Sequence, residues 1–420
     1  MRSARRHRTW PRLALAKAAS LVAGLTLLTA TLESASAQAG PNLAQGDGRV
    51  SEFYTWSGTP PTAPGQLLRS EKLPTTLGLA QAADAVRILY SSTDGIDGKS
   101  LTTVSGALFL PKGSAPPGGW PLIAWAHGTV GLADICAPSW AGRSYRDVLY
   151  LNTWLGEGYA VVATDYQGLG TPGPHPYLAA RAEAYGVLDS ARAVLKGIPG
   201  LADRIVIVGQ SQGAGAAFAT AGFAPRYAPD LDIRGTVATG TPYLAAKTLA
   251  RPSTTPADKV DRTIGYLLYI GLLLQQLDPS LEGSTLFTDK ALPVFEQARI
   301  ACIGGLESDV VTAGLTRANS LKADFARLVG QHLGTLVYPT LKLAQPIFIG
   351  TGEQDGDVDP AMQLDLVKDA CAAGSTVEAH LYAGLTHSDT VNASLKDSLP
   401  FVRKVMQGEA VAPVCAPQAE

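Results

Sequence analysis

Short apolar runs alternate with amphipathic stretches along most of the chain. Seven runs are rich in β-branched and apolar residues, and they span 105–111, 121–128, 159–168, 204–211, 233–240, 345–352 and 376–384. Helical patterns separate several of them, at residues 145–158, 182–197 and 361–374. Strands that are apolar almost throughout and alternate with helices are typical of a mostly parallel sheet covered on both faces. The pattern therefore predicts an α/β fold with helices on both faces of the sheet.

One long interval breaks this alternation. Between residues 223 and 344, only the run near 233–240 resembles a core strand, and the rest has helical patterns. The interval includes 263–277, fifteen residues without a charged side chain, which are too few to span a bilayer. These residues fit a buried helix, and because the interval interrupts a regular order we interpret 223–344 as an inserted cap or lid. Residues 76–222 and 345–420 then form the core.

The first 37 residues have the pattern of a secretory signal peptide. A basic start precedes an apolar region at 18–32 and the small-residue cleavage site Ala35-Ser36-Ala37. The apolar region is shorter than the roughly 20 residues of a membrane span, so we expect cleavage and secretion. The pair Arg5-Arg6 leaves the choice between the general and the twin-arginine export route open. Residues 38–75, rich in Pro and Gly in their second half, are expected to form an extended arm on the core.

Charge and cysteine content limit the partners. The formal net charge is -2, and 1–37 hold six Lys or Arg but one acidic residue, so the remainder is more acidic. A mildly acidic chain is not expected to bind nucleic acid or an anionic membrane by charge. Four cysteines in an exported chain suggest two disulfides, with three connectivities open: Cys136, Cys302, Cys371 and Cys415. Without a Cys-x-x-Cys or Cys/His cluster, a structural zinc site is not expected. The chemistry predicted below needs neither a metal nor an organic cofactor.

The pentapeptide Gly209-Gln210-Ser211-Gln212-Gly213 closes one apolar run and opens a stretch of small residues. This is the context of a nucleophile elbow, in which a strained turn presents a serine hydroxyl above the sheet. Glycines two positions before and after the serine let strand and helix approach closely. An ordinary N-cap serine is the alternative. We predict that Ser211 is a nucleophile and that Gln212 gives one N–H to an oxyanion hole.

A serine nucleophile needs a base and a group that orients the base. His387 follows the last predicted strand and precedes a C-terminal helical pattern, as the base in this chain order should. The acid is expected after the preceding strand, where Asp355 fits best and Asp357 is the runner-up. The second oxyanion N–H is expected in the loop after the run 121–128, from Thr129 or, as the alternative, Gly128.

Several motifs in this order resemble the secretory lipase family. They are AHGT (126–129), DICAPS (134–139), VVATDYQGLG (161–170), VLDSARA (187–193), GQSQG (209–213) and KDACAAGSTVEAHLYAGLTH (368–387). The resemblance spans most of the chain after the signal peptide. It implies an α/β-hydrolase fold, a lid-like cap over an acyl tunnel, and hydrolysis of carboxylic esters. It also implies the disulfides Cys136–Cys302 and Cys371–Cys415.

The sequence thus predicts a secreted serine esterase or lipase that works through an acyl-enzyme. The apolar cap favours medium- to long-chain acyl esters or triacylglycerol, with a lipid–water interface as a candidate place of action. A short-chain, aromatic or polyester esterase, an acyltransferase or a peptidase could use the same three residues. A non-enzymatic binding protein is disfavoured, because all three residue types occur in the required order. No protein partner is implied.

Overall fold

The structure, a computed structural model, describes residues 49–251 and 255–420. Within these residues one sheet contains the strands β1 Leu67–Lys72, β2 Ala82–Thr93, β3 Leu101–Pro111, β4 Trp120–Ala126, β5 Ala160–Thr164, β6 Leu201–Gln210, β7 Ile233–Thr239, β8 Ile347–Gly352 and β9 Val377–Tyr382. Their order across the sheet is β9-β8-β7-β6-β4-β5-β3-β2-β1. Strands β4 to β9 are parallel, whereas β1, β2 and β3 pair antiparallel. The predicted α/β fold with a mostly parallel sheet is confirmed.

Helices follow most of the parallel strands and also fill the long interval before β8. They are α1 Pro138–Ala141, α2 Tyr145–Gly156, α3 Ala180–Gly197, α4 Gln212–Tyr227, α5 Ala246–Leu249, α6 Ile264–Leu277, α7 Gly283–Leu286, α8 Leu292–Gln297, α9 Ile303–Thr312, α10 Arg317–Ser320, α11 Asp324–Gln331, α12 Leu333–Leu336, α13 Pro360–Ala372, α14 Asp389–Ala393 and α15 Leu395–Gln407. None of the helices among the described residues is long and apolar enough to cross a membrane.

Both faces of the central strands are apolar, which explains why these strands read as continuous hydrophobic runs. In β4, Leu122 and Ala124 belong to the apolar cluster under α3, α4 and α13, whereas Ile123 and Trp125 belong to the cluster under α2 and α15. Successive side chains of a strand point to opposite faces, so every position of β4 must be apolar. The apolar residues on both faces of the strands explain why the sheet lies between two layers of helices.

The first two strands were not among the predicted runs. Strand β1 lies within the segment 38–75 that we expected to be an extended arm, and it pairs with β2 at the edge of the sheet. Its second half, from Ser70 to Lys72, is exposed, so it lacks the apolar pattern of the inner strands. The predicted signal peptide, 1–37, lies outside the described residues.

The interval between β7 and β8 contains a separate apolar cluster formed by the helices α6 to α9 and α11. Helix α6 occupies the uncharged segment 263–277 and buries Leu268, Tyr269 and Leu274 against Phe287 and Phe295. Within 223–344, which we interpreted as the cap, the structure places the end of α4, strand β7 and helices α5 to α12. The helices after β7 therefore have their own core, next to that of the sheet.

Two disulfides join distant parts of the chain. Cys136, in the loop after β4, is bonded to Cys302 at the start of α9, and Cys371 in α13 is bonded to Cys415 in the C-terminal tail. These are the pairings that the family resemblance implies. The first attaches the loop beside the predicted oxyanion hole to the cap helices, and the second holds the tail against β9, where Val414 pairs with Glu378.

Candidate active site

Ser211 lies at the sharp turn between β6 and α4. Its backbone angles, φ 58° and ψ -124°, fall in a region that L-residues rarely adopt. A Cβ added to Gly209 would lie 1.9 Å from the carbonyl oxygen of Gly213, and one added to Gly213 would lie 1.9 Å from that of Ala126. Only glycine fits at these two positions. The turn therefore has the geometry of a nucleophile elbow and leaves the Ser211 side chain partly exposed.

His387 follows β9, in the loop before α14. Its imidazole is buried, and its Nδ1–H donates a hydrogen bond of 2.7 Å to Oδ2 of Asp355. Gly240, which follows β7 with φ +65°, packs against this ring, since a Cβ there would lie 2.6 Å from Cε1 of the imidazole. The loop after β7 and the loop after β8 thus hold the ring between them.

Asp355 is the acidic residue that contacts the imidazole. Its side chain is fully buried, and its Oδ1 accepts hydrogen bonds from the N–H groups of Asp357 and Val358 at 2.9 and 2.8 Å. Its Oδ2 accepts from Nε2 of Gln363 at 2.8 Å as well as from His387. With both oxygens satisfied, this carboxylate has one fixed orientation.

Asp357, the other candidate acid, faces the cap instead. Its Oδ2 lies 2.9 Å from the guanidinium of Arg262, and its Oδ1 accepts a hydrogen bond of 3.2 Å from the Tyr266 hydroxyl. Arg262 precedes α6 and Tyr266 lies within it. Asp357 therefore links the loop after β8 to the cap.

Ligand atoms of Asp355, Asp357 and His387 lie within 4.8 Å of one another, close enough to share a metal ion. However, both Asp355 oxygens accept two hydrogen bonds each, and Asp357 is paired with Arg262. A cation here would have to displace these partners and repel a guanidinium. The donor set consequently fits an oriented imidazole better than a metal centre.

The two predicted oxyanion donors lie beside Ser211 and line the same cavity. Gln212 is the first residue of α4, so its N–H has no partner within the helix. Thr129 follows β4 by three residues, and its hydroxyl shares a hydrogen bond of 2.8 Å with that of Tyr177. Among the described residues, neither of these two N–H groups has a protein acceptor. The carbonyl of Gly128, the alternative donor, accepts a hydrogen bond from Nδ1 of His127.

The Gln212 side chain is buried in a polar network that sequence reasoning missed. Its amide donates to Oε1 of Glu183 at 2.8 Å and to Nε2 of His175 at 3.0 Å. Nδ1–H of His175 donates in turn to the carbonyl of Gln167. Burial lowers the pKa of His175 to about 4 and raises the pKa of Glu183 to about 8. Both groups are therefore neutral near pH 7, and the network carries no net charge.

The Gln210 side chain, on the other side of the serine, contacts the imidazole itself. Its Nε2 donates a hydrogen bond of 2.9 Å to Nε2 of His387, and its Oε1 accepts one of 2.8 Å from Arg146. Within residues 49–251 and 255–420, no hydrogen bond joins the Ser211 hydroxyl to His387. Sequence reasoning assigned a role to the backbone N–H of Gln212 but none to the side chain of either glutamine.

The cavity in front of Ser211 has a volume of about 280 Å³. Apolar side chains from the loop before α3, the interval 223–344 and helix α13 form one part of its lining: Leu178, Pro242, Leu244, Leu267, Ile270 and Met362. Polar and charged side chains form another part: Thr129, Thr248, Thr263, Tyr266, Arg317 and Asp357. The cavity can therefore hold an apolar chain beside a more polar group.

Two sequence comparisons show which known proteins this chain resembles. The family model described as "Secretory lipase" matches residues 143–251, which include the turn at Ser211. Lipase A of Moesziomyces aphidis is 27% identical over 392 residues, covering 86% of this chain and 81% of its own. By both comparisons the chain is similar to the secretory lipases. The match to the lipase model and the lipase A relative support a carboxylic ester hydrolase.

Solved structures show the same fold. Candida antarctica lipase A in its closed state superposes with a TM-score of 0.70 at 22% identity, covering 88% of this chain and 89% of that one. The rice cell wall degrading esterase LipA from Xanthomonas oryzae superposes with a TM-score of 0.65 at 21% identity, covering 81% of this chain and 98% of that one. The α/β-hydrolase fold that the motifs imply is confirmed.

Proposed function

We propose that Ser211, His387 and Asp355 form a catalytic triad that hydrolyses carboxylic esters through an acyl-enzyme. The observation that carries the proposal is the 2.7 Å hydrogen bond from His387 Nδ1–H to buried Asp355, next to a serine on a strained turn. This bond fixes the imidazole tautomer whose Nε2 can accept a proton. The family and its ester hydrolase class support the same chemistry.

The reaction follows from these positions. The Ser211 oxygen attacks the ester carbonyl while its proton moves to Nε2 of His387, and the N–H groups of Gln212 and Thr129 donate to the oxyanion. The leaving alcohol takes the proton from His387, and the C–O bond breaks to give the acyl-enzyme. Water then repeats both steps, releasing the acid and restoring the serine hydroxyl. Asp355 remains a carboxylate and stabilises the imidazolium.

The decisive test is the variant Ser211→Ala. We expect it to lose hydrolysis of p-nitrophenyl esters and covalent labelling by a fluorophosphonate probe, because both need the Ser211 oxygen. Ser308→Ala is the matched control, since Ser308 is exposed in α9 and its hydroxyl donates to the carbonyl of Gly304. Full hydrolysis or full labelling by the Ser211 variant would show that the nucleophile is elsewhere.

For the substrate, we propose a medium- or long-chain acyl group whose apolar part lies against Leu267 and Ile270 of α6. The apolar part of the cavity lining supports this, as does the relative named lipase A. A series of p-nitrophenyl esters from C2 to C16 should show the highest kcat/KM above C6. We include action at a lipid–water interface in the same proposal. It predicts that the rate of hydrolysis rises steeply once the ester concentration exceeds the solubility limit.

The polar part of the cavity favours a second candidate, an esterase for more polar or bulky esters. The hydroxyl of Tyr266, which lines this part, could hydrogen-bond a hydroxylated or aromatic substituent. A structural neighbour is named as a rice cell wall degrading esterase. Activity confined to C2–C4 in the same series, with good hydrolysis of feruloyl or acetylated sugar esters, would select this candidate over a lipase.

Secretion completes the proposal. The family name and the two disulfides support an oxidising destination. Protein recovered from the culture medium should begin at Gln38, directly after Ala37, when its N-terminus is sequenced. An intact N-terminus at Met1 on active protein would contradict cleavage.

A further inference from the structure

The side-chain amide of Gln210 lies between the guanidinium of Arg146 and the imidazole of His387, the proposed general base. Gln210 is 1% exposed, with its Oε1 2.8 Å from Nη2 of Arg146 and its Nε2 2.9 Å from Nε2 of His387. A Cβ added to Gly128 would lie 2.4 Å from Oε1 of Gln210. The glycine after the histidine of the AHGT motif therefore makes room for this amide.

Hydrogen-bonding capacity fixes the direction of both contacts. A guanidinium has donors and no acceptor, so the oxygen of the Gln210 amide must face Arg146. The NH₂ group then faces His387, whose Nε2 must accept with its lone pair, and the imidazole proton resides on Nδ1 against Asp355. His387 thus has the tautomer that a base needs, but its accepting nitrogen is already engaged.

Arg146 is itself held in place from both sides. Its Nε donates to Asp147 at 2.8 Å, and its Nη1 lies 3.3 Å from the hydroxyl of Ser388, the neighbour of His387. Asn392 donates to its carbonyl at 3.1 Å. The guanidinium therefore connects the start of α2 to the loop that carries the base, and it keeps the Gln210 amide from turning over.

We propose that Gln210, held by Arg146, is a latch on His387. This inference rests on the proposed triad. In the free enzyme the amide occupies the nitrogen to which Ser211 must transfer its proton. After that transfer Nε2 carries a hydrogen, and two donors would face each other. The amide must therefore leave Nε2, and the Ser211 hydroxyl must replace it, before the ester is attacked.

The test compares three variants by their rate of covalent labelling with a small fluorophosphonate and by kcat and KM on p-nitrophenyl butyrate. Gln210→Met keeps the buried volume and removes the donor, so labelling and kcat should rise about 3- to 10-fold, the range for one lost hydrogen bond, with KM little changed. Gln210→Glu presents an acceptor that holds a protonated imidazole, so labelling near pH 7 should slow by about tenfold or more. A merely structural role would slow both variants.

Arg146→Met provides a second route to the same conclusion. It frees the amide to turn, so labelling should rise by less than it does in Gln210→Met. If Gln210→Met does not fold, the rate of Arg146→Met decides. The latch is wrong if Gln210→Met and Arg146→Met, folded and with melting temperatures close to that of the wild type, label at the wild-type rate or slower. A wild-type protein that does not label at all would instead contradict the proposed triad.

Discussion

The two glutamines beside Ser211 have the same side chain and nearly the same burial, 1% for Gln210 and 2% for Gln212, and each faces a histidine. Gln212 donates to His175, which is fixed by a backbone carbonyl, and to the buried acid Glu183. Gln210 donates to His387, whose other nitrogen is bonded to Asp355. The Gln212 contacts can persist throughout the proposed reaction, whereas the Gln210 contact must break.

The comparison shows that the effect of a buried side-chain amide on the reaction depends on the groups to which it is hydrogen-bonded. On the Gln212 side, which we call the oxyanion side, every partner is neutral near pH 7 and none takes part in proton transfer. On the Gln210 side, which we call the base side, the partner is the proposed base, which must receive and release a proton in each cycle of the proposed reaction. Each glutamine therefore stabilises the free enzyme by its hydrogen bond to a histidine. Only the bond from Gln210 to His387 should slow the proposed reaction, because it must break before the proton is transferred.

The largest expected effect is on the base side, in Asp355→Asn. An asparagine there would donate its NH₂ to Nδ1 of His387 and move the imidazole proton to Nε2, the wrong tautomer for a base. By analogy with such exchanges in other serine hydrolases, kcat/KM for p-nitrophenyl butyrate should fall by about 10⁴-fold. Steady-state kinetics on the folded variant measures this.

Asp357→Asn is the matched control for that prediction. It weakens the ion pair with Arg262 and leaves the Asp355–His387 bond intact, so kcat/KM should change by less than about fivefold, as for a partly exposed pair. A greater loss in Asp357→Asn than in Asp355→Asn would reverse the assignment of the acid.

The next effect concerns stability on the oxyanion side. Burial raises the pKa of Glu183 from 4.5 to about 8, so the folded protein keeps this proton while the unfolded chain loses it. The lowered pKa of His175 has the opposite effect and makes stability increase as pH rises from about 4 to 6.5. Stability should therefore decrease mainly between about pH 6.5 and 8, by about 2 kcal/mol at 1.36 kcal/mol per pKa unit. Urea unfolding at pH 5, 7 and 9 measures the slope.

Glu183→Gln tests the origin of that slope. The glutamine keeps an acceptor for Gln212 and for the N–H of Leu178 but does not titrate, so most of the loss of stability between pH 5 and 9 should disappear. Gln210→Met should retain the wild-type slope, because no acid with a raised pKa contacts Gln210. A slope unchanged in Glu183→Gln would place the titrating group elsewhere.

Parts of this site could be predicted from the sequence because they depend on local backbone geometry and chain order. The turn at Ser211 needs glycine at 209 and 213, and the base must follow the last strand, so Ser211 and His387 are recognisable from their neighbours. Asp355 and Asp357 are two residues apart in one loop. The structure separates them by their partners, because Asp355 contacts His387 whereas Asp357 contacts Arg262.

The polar networks could not be predicted in the same way. Arg146, Glu183 and His175 lie 28 to 65 positions before the serine in the chain, and their contacts depend on how α2, α3 and the loop before α3 pack above the sheet. Nothing in the local pattern distinguishes Glu183 from an exposed acid in the first turn of a helix. Strand β1 was missed for a related reason, since its exposed half lacks the alternation that marks a strand.

The smallest of the three effects separates the glutamines directly. Gln212→Met removes both amide hydrogen bonds but keeps the backbone N–H, so the first turn of α4 loses its attachment to Glu183 and His175. We expect kcat to fall by about tenfold, equivalent to about 1.4 kcal/mol of lost oxyanion stabilisation. The same substitution at Gln210 should raise kcat, so the two methionine variants are predicted to differ in sign. The rates of fluorophosphonate labelling of the two methionine variants, measured side by side, test this difference. Faster labelling of both variants would contradict it, because the two side chains would then have the same effect on the reaction.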